Sequence, residues 1–161
     1  MEGTFGSERR IGATMSLITI KSLDELAPPS EGEEVIALAM SAEDRRRVRR
    51  RIRAPDGMEF ALSLPTGTKL MPGQVLHRDT GRLYVVAAAP EDVIVVHPRD
   101  KTEAAKVGHL IGNLHRDIDC AEEAVVVLWD QPLHDRLQRG AFVFERDRRP
   151  FHGNPTSGHS H

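Results

Sequence analysis

Histidine is the residue type in this chain best placed to do chemistry. His109 and His115 bracket the stretch His109-Leu110-Ile111-Gly112-Asn113-Leu114-His115 at the end of an expected helix, and His159 and His161 lie among the last three residues. Neutral imidazole suits nickel, zinc and copper alike. With a single cysteine, the chain has few other soft-to-borderline donors. Histidines at a helix exit and in an unpacked chain end suit an ion that is held and passed on, rather than one locked in a structural site.

His115 is the strongest ligand candidate. It leaves a helix terminus and opens an alternating polar run to Cys120, which places His115, Asp117 and Asp119 on one face and Arg116, Ile118 and Cys120 on the other. The two carboxylates then either orient the imidazole through its second nitrogen or are simply solvated. One imidazole binds a divalent ion weakly, and a two-fold dimer doubles whatever lies on its axis. The plain alternative is an exposed loop histidine. His109 lies six residues earlier, not the three or four that share a helical face, and reads as a partly buried helix residue. His134 reads as a surface residue, and His77 and His97 carry no assigned role. His152, His159 and His161 sit among Gly, Ser and Pro, free to swing onto a metal held elsewhere, and His159-Ser160-His161 can pinch one ion. Alternation turns Cys120 away from His115, so it reads as core.

Composition narrows the class. A chain of 161 residues holds one ordinary domain or two small ones. With one Trp, one Tyr and five Phe, its core must rest on Val, Leu, Ile and Ala. A net charge of −2 gives no global electrostatic case for nucleic acid or membrane. The lone Cys120 excludes an internal disulfide and favours a reducing compartment. No apolar run approaches the roughly 18 residues of a spanning helix. Arg9-Arg10 followed by Ile11 to Leu17 is too short and broken for a secretory signal. The expectation is a cytoplasmic protein with no membrane partner. No P-loop, dinucleotide fingerprint or His-Glu-x-x-His motif is present, so no catalytic constellation is read and the chain is expected not to be an enzyme.

The elements that must position these residues fall into two groups, giving an α+β fold class. Residues 1–15 read as a disordered leader, with Met15 a possible alternative start. Residues 16–89 read as an all-β domain, whose Arg45–Arg53 block is one candidate for partner contacts. Its expected strands are Ser16–Ile20, Arg49–Ala54, Met58–Leu64 and Leu83–Ala88, punctuated by Pro55-Asp56-Gly57, Pro65-Thr66-Gly67-Thr68 and Met71-Pro72-Gly73. Residues 90–150 read as a ferredoxin-like βαββαβ domain that carries His115, the candidate metal ligand. Strand Asp92–Val96 leads to a helix from Lys101 to Ile111, capped by Asp100, with Ala104, Ala105, Val107, Gly108 and Ile111 inward and Gly112-Asn113 as its left-handed stop. A mid-sheet strand Ala124–Trp129 follows, then a helix capped by Asp130 with Pro132 in its first turn and Gly140 beyond it. The last strand is expected at Ala141–Glu145, with tail character from Arg148 and a flexible histidine-containing tail over 151–161.

The block Arg45–Arg53 holds seven arginines in nine positions. Alone it resembles a nucleic-acid patch. A βαββαβ domain that bound RNA should display aromatics on its central strands, and Val93 to Val96 and Val125 to Val127 supply none. A basic face meeting an acidic protein partner is the other reading.

In order and spacing, these motifs resemble the urease accessory protein UreE family. The resemblance runs from about Ser16 to the C-terminus. It rests on Asp56-Gly57 through Leu64-Pro65-Thr66-Gly67-Thr68, on Pro72-Gly73-Gln74-Val75-Leu76, and on His109 to His115, close to a family motif ending in Gly-Asn-Arg-His. It implies a homodimer, paired through the C-terminal domain, that binds Ni(2+) and delivers it to apo-urease through the urease accessory GTPase. His115 would bind metal at the dimer interface, and His152, His159 and His161 would supply further ligands. Leu114 replaces the family's usual arginine, and Trp129-Asp130-Gln131 stands where some members carry a His-x-His pair. Two other functions stay open: a nucleic-acid-binding or regulatory module using Arg45–Arg53, and a general zinc or copper buffer.

Overall fold

A computed structural model describes residues 17–23 and 27–153, so the expected leader and the tail residues His159 and His161 lie outside the described residues. The first half forms two three-stranded sheets. Strands β1 (Leu17–Ile20), β3 (Arg49–Arg53) and β4 (Glu59–Ser63) make one, in the order β1-β4-β3. Strands β2 (Glu34–Met40), β5 (Val75–Asp79) and β6 (Arg82–Ala88) make the other, in the order β2-β6-β5. The β3–β4 hairpin turns at Pro55-Asp56-Gly57 as the sequence predicts, with Gly57 at φ 93°. Ile20, Ile52, Phe60 and Leu62 of one sheet meet Ile36, Leu38, Met40, Tyr84 and Val86 of the other in one core. The buried Tyr84 hydroxyl donates to Asp56 Oδ2 at 2.7 Å, which ties the hairpin turn to the second sheet.

Sequence reasoning missed β2 and β5. Three of the seven β2 residues are exposed small or mixed apolar positions (Val35, Ala37, Ala39), and alanine is a poor strand former. Three of the five β5 residues are His77, Arg78 and Asp79. Both strands are held by pairing to β6, a tertiary contact rather than a local preference.

The second half is β7 (Pro90–Val96), α1 (Lys101–Gly112), β8 (Asp119–Cys120), β9 (Val125–Leu128), α2 (Gln131–Arg139) and β10 (Phe144–Pro150). Its sheet runs β10-β7-β9-β8 with every pairing antiparallel, so the expected βαββαβ order folds in the ferredoxin-like arrangement with β9 inside. Both caps form: Asp100 accepts from Glu103 N at 2.7 Å and Asp130 from Leu133 N at 3.2 Å. Val107, Ile111, Leu133 and Leu137 cover Ile94, Val96 and Val127 on one face of the sheet. Of the expected α1 inner face, Ala105 is exposed and Ala104 and Gly108 are only half-buried. The opposite sheet face is also covered, because Val93, Val95 and Val126 pack with Ala42 of the first half and with Phe151. This accounts for Val93-Ile94-Val95-Val96, a run with no alternation, since a strand buried on both faces has no polar side.

The last strand lies at Phe144–Pro150 rather than Ala141–Glu145. Ala141 takes φ 54° in the turn after α2, and the chain enters the sheet three residues later than expected. Nor does tail character begin at Arg148: pairing to β7 continues to Pro150, and Phe151 is 1% exposed. Cys120, expected in the core, is exposed. Its strand is two residues long at the sheet edge, too short to bring cover with it. No helix among the described residues is long and apolar enough to cross a membrane.

Phe151→Ala is expected to lower unfolding free energy by about 3–5 kcal/mol, the usual loss for emptying a buried phenylalanine site. A urea midpoint equal to wild type would return Phe151 to the tail.

Candidate metal-binding site

The exit of α1 sets the position of His115. Asn113 stays right-handed at φ −64°, and Gly112 lies within the helix, so neither residue is the expected left-handed stop. His115 is, at φ 52°. His115 N donates to Gly112 O at 2.9 Å and Arg116 N to Ile111 O at 3.4 Å, the bond pattern of a Schellman motif with histidine in the place glycine ordinarily takes. Left-handed backbone costs a non-glycine residue about 1–2 kcal/mol.

That turn overrides the expected alternation. Strand pairing begins only at Ile118–Asp119, so His115, Asp117 and Asp119 do not share a strand face. His115 is exposed on the rim of a cleft of about 180 Å³, with Ala42, Glu43 and Arg46 from the first half and Asp117 and Leu128 among its walls. Its imidazole has no hydrogen-bond partner among the described residues, because both carboxylates are engaged elsewhere. Asp117 Oδ2 accepts from Lys69 Nζ at 2.7 Å and from Arg46. Burial alone would raise the Asp117 carboxyl, but the hydrogen bonds and charges of Lys69 and Arg46 hold it below its ordinary value. Asp119 accepts the backbone N–H of His152 and of Gly153, each at 2.7 Å.

His152 therefore lies near the same rim. Its ring Nδ1 is 3.8 Å from Asp119 Oδ2 and its side chain is exposed. Gly153 follows at φ 68°, where a Cβ would sit 2.9 Å from the Phe151 ring and 3.5 Å from Asp117. The chain end thus passes over Asp117, two residues from His115. The described residues contain no group of three His, Cys, Asp or Glu able to hold a metal ion.

The other histidines are occupied differently. His109, expected to be partly buried, is exposed and lies 3.0 Å from Asn113 Nδ2 through Nε2. His134, expected on the surface, is half-buried between the Trp129 and Phe144 rings, at centroid distances of 5.2 and 5.3 Å. His97 meets Glu145 at 3.1 Å, and His77 packs by Phe60 and Tyr84.

Nor is the arginine block one face. Arg45 is buried, Arg46 meets Asp117, Arg47 meets Glu43, and Arg50 meets Asp44 at 2.6 Å. Arg49, Arg51 and Arg53 remain exposed along β3, alternating with Arg50 and Ile52. Sequence reasoning missed Arg45, Lys69 and the engaged role of Asp119. The one available signal was that a run of seven arginines cannot all share one face of a strand.

His115→Gly is expected to hold or raise stability, by up to about 1 kcal/mol, and β-branched His115→Val to be less stable than the glycine variant by at least about 1 kcal/mol. Equal urea midpoints for the two would mean that the backbone there is not left-handed in solution.

Comparison with known proteins identifies the family. The family model for the UreE urease accessory protein, N-terminal domain, matches residues 19–89, the two three-stranded sheets. The urease accessory protein UreE of Synechococcus sp. (strain JA-3-3Ab) is 47% identical over 142 residues, covering 88% of this chain and 94% of the relative. That of Deinococcus radiodurans is 51% identical over 124 residues, covering 77% and 80%. That of Paraburkholderia xenovorans is 33% identical over 127 residues, covering 77% and 56%. The relatives are named as accessory proteins and not as enzymes. On identity and coverage of this extent, the chain belongs to the UreE family of urease accessory proteins.

Proposed function

We propose that this protein is a cytoplasmic homodimer, paired through its second half, that carries Ni(2+) to apo-urease through the urease accessory GTPase. The observation that carries the reading is the exposed, unpartnered His115 imidazole beside the anchored root of the histidine-containing chain end. His159 is six residues beyond Gly153, a reach of up to about 20 Å for extended chain. That is ample to return to His115, since Gly153 packs on Asp117. A two-fold axis near His115 would bring two such imidazoles to one ion, with His152, His159 and His161 completing the shell. Donors on a tether leave one at a time, which suits a carrier that must release its ion.

Coordination chemistry alone favours copper over nickel at such a site and admits zinc, so cellular availability would decide the cargo. The nucleic-acid reading has less behind it. The sheet face that an RNA-binding βαββαβ module leaves open for base stacking is covered by Ala42 and Phe151. Three arginines remain exposed without ion pairs among the described residues, in place of seven.

In calorimetry with nickel, His115→Gly is expected to abolish the tightest site while the dimer survives. A chain ending at Gly153 should bind more weakly or with fewer ions. Unchanged affinity in His115→Gly would refute the assignment. The cut belongs after Gly153, because one at Arg149 would also remove the buried Phe151.

Nickel affinity is also expected to fall between about pH 7 and pH 5, more steeply than one proton per ion. A ligating imidazole must be neutral, and histidine ordinarily titrates near about 6.5. Affinity flat to about pH 5 would make carboxylates the principal ligands.

A further inference from the structure

Residues 151–153 are gripped from both sides by charged side chains that the metal-binding reading does not itself use. Arg45, 1% exposed, donates through Nη2 to Phe151 O at 2.6 Å and through Nη1 to His152 O at 3.1 Å. Asp119 takes the N–H groups of His152 and Gly153, one on each carboxylate oxygen, at 2.7 Å. Lys69 Nζ donates to Gly153 O at 2.9 Å and to Asp117 Oδ2 at 2.7 Å. Secondary structure has ended at Pro150, so these backbone groups have no ladder partner, and ionised side chains supply the bonds instead. Phe151 plugs the core beneath. A loose chain end needs none of this, and Arg45 and Lys69 come from the first half of the chain, more than eighty residues away in sequence.

We infer that Arg45, Asp119 and Lys69 form a clamp that fixes the root of the C-terminal tail beside the His115 loop, making them positioning residues for the tail imidazoles. The inference rests on the tail contributing ligands, as proposed above. Its physical content is tether length and ligand orientation. With the clamp closed, His159 lies six residues beyond the anchor at Gly153; with it open, the anchor retreats to the buried Phe151 and His159 lies eight residues beyond it. Effective concentration falls roughly as the −3/2 power of tether length, so opening the clamp weakens tail binding by about 1.5-fold from length alone. Where His152 is itself a ligand, its fixed backbone is lost as well, and the loss grows to about ten-fold.

Asp119→Ala tests this, because its side chain is partly exposed and its loss should leave the fold standing, whereas Arg45→Met empties a buried site. Nickel affinity is measured for wild type and Asp119→Ala, each as the full chain and as a chain ending at Gly153. The clamp predicts a roughly 1.5- to ten-fold loss in the full chain, a smaller loss in the shortened chain, which keeps His152 but not the residues beyond Gly153, and partial rescue by Asp119→Asn, whose one amide oxygen can still accept an N–H. Equal loss in both backgrounds would mean a general structural effect and would overturn the clamp. No loss in the full chain, where shortening itself weakens binding, overturns the clamp and leaves the tail ligands standing. Shortening without effect removes both. Amide exchange gives a metal-free check: His152 and Gly153 should be protected in wild type and fast in Asp119→Ala, and fast exchange in wild type overturns the clamp.

Discussion

A guanidinium cannot be withdrawn from water cheaply. Isolated, it would cost several kcal/mol, and it is retained only where its donors and charge are met. Arg45 is the fully buried charge on which the two halves of this protein close. Its donors go to the Phe151 and His152 carbonyls and, at 3.4 Å, to Ser41 O. Burial pulls its pKa below the usual guanidinium value, and the carboxylates of Glu91, Asp119 and Asp117 oppose that pull. Glu91 also accepts Ala42 N at 2.8 Å, so the same short segment of the first half is fastened twice to the second.

The rest of the arrangement follows from that junction. The first half covers the sheet face opposite the helices, so Val93, Val95 and Val126 are core on that face as Ile94, Val96 and Val127 are on the other. Arg46 and Lys69 then reach Asp117, and the loop after His115 is held in the form the turn gave it. Asp117 and Asp119 are engaged, and the exposed His115 imidazole has no hydrogen-bond partner among the described residues. A strained left-handed backbone at His115 presents that side chain outward, and strain of this kind persists where surrounding structure over-determines it.

A carrier needs donors strong enough to take an ion and loose enough to surrender it. In the proposed carrier, the exposed helix-end imidazole of His115 and ligands from the chain end would divide that labour. The clamp residues connect the two, and they belong partly to the half of the protein that the family model covers. Arg49, Arg51 and Arg53 lie exposed on the first half, and the Arg45–Arg46 segment links that half to the proposed metal site through Phe151, His152 and Asp117.

The sequence alone determined the elements whose signals are local. Asp100 and Asp130 announced their helices, Pro55-Asp56-Gly57 its hairpin, and the valine runs the central strands, because capping, turn geometry and burial act over a few residues. The resemblance to the UreE family was equally legible, and the comparisons bear it out. What only tertiary structure decided was the use of each charged group. Nothing local distinguishes Arg45, which is buried, from Arg51, which is exposed, or shows that Asp119 would take backbone N–H groups 33 and 34 residues away. Phe151 read as tail because its neighbours are polar, yet the cavity it fills is built by strands far from it in sequence. Even the alternation expected after His115 yielded to a helix-closing turn, since hydrogen bonds to Ile111 and Gly112 fixed the backbone before any strand could form.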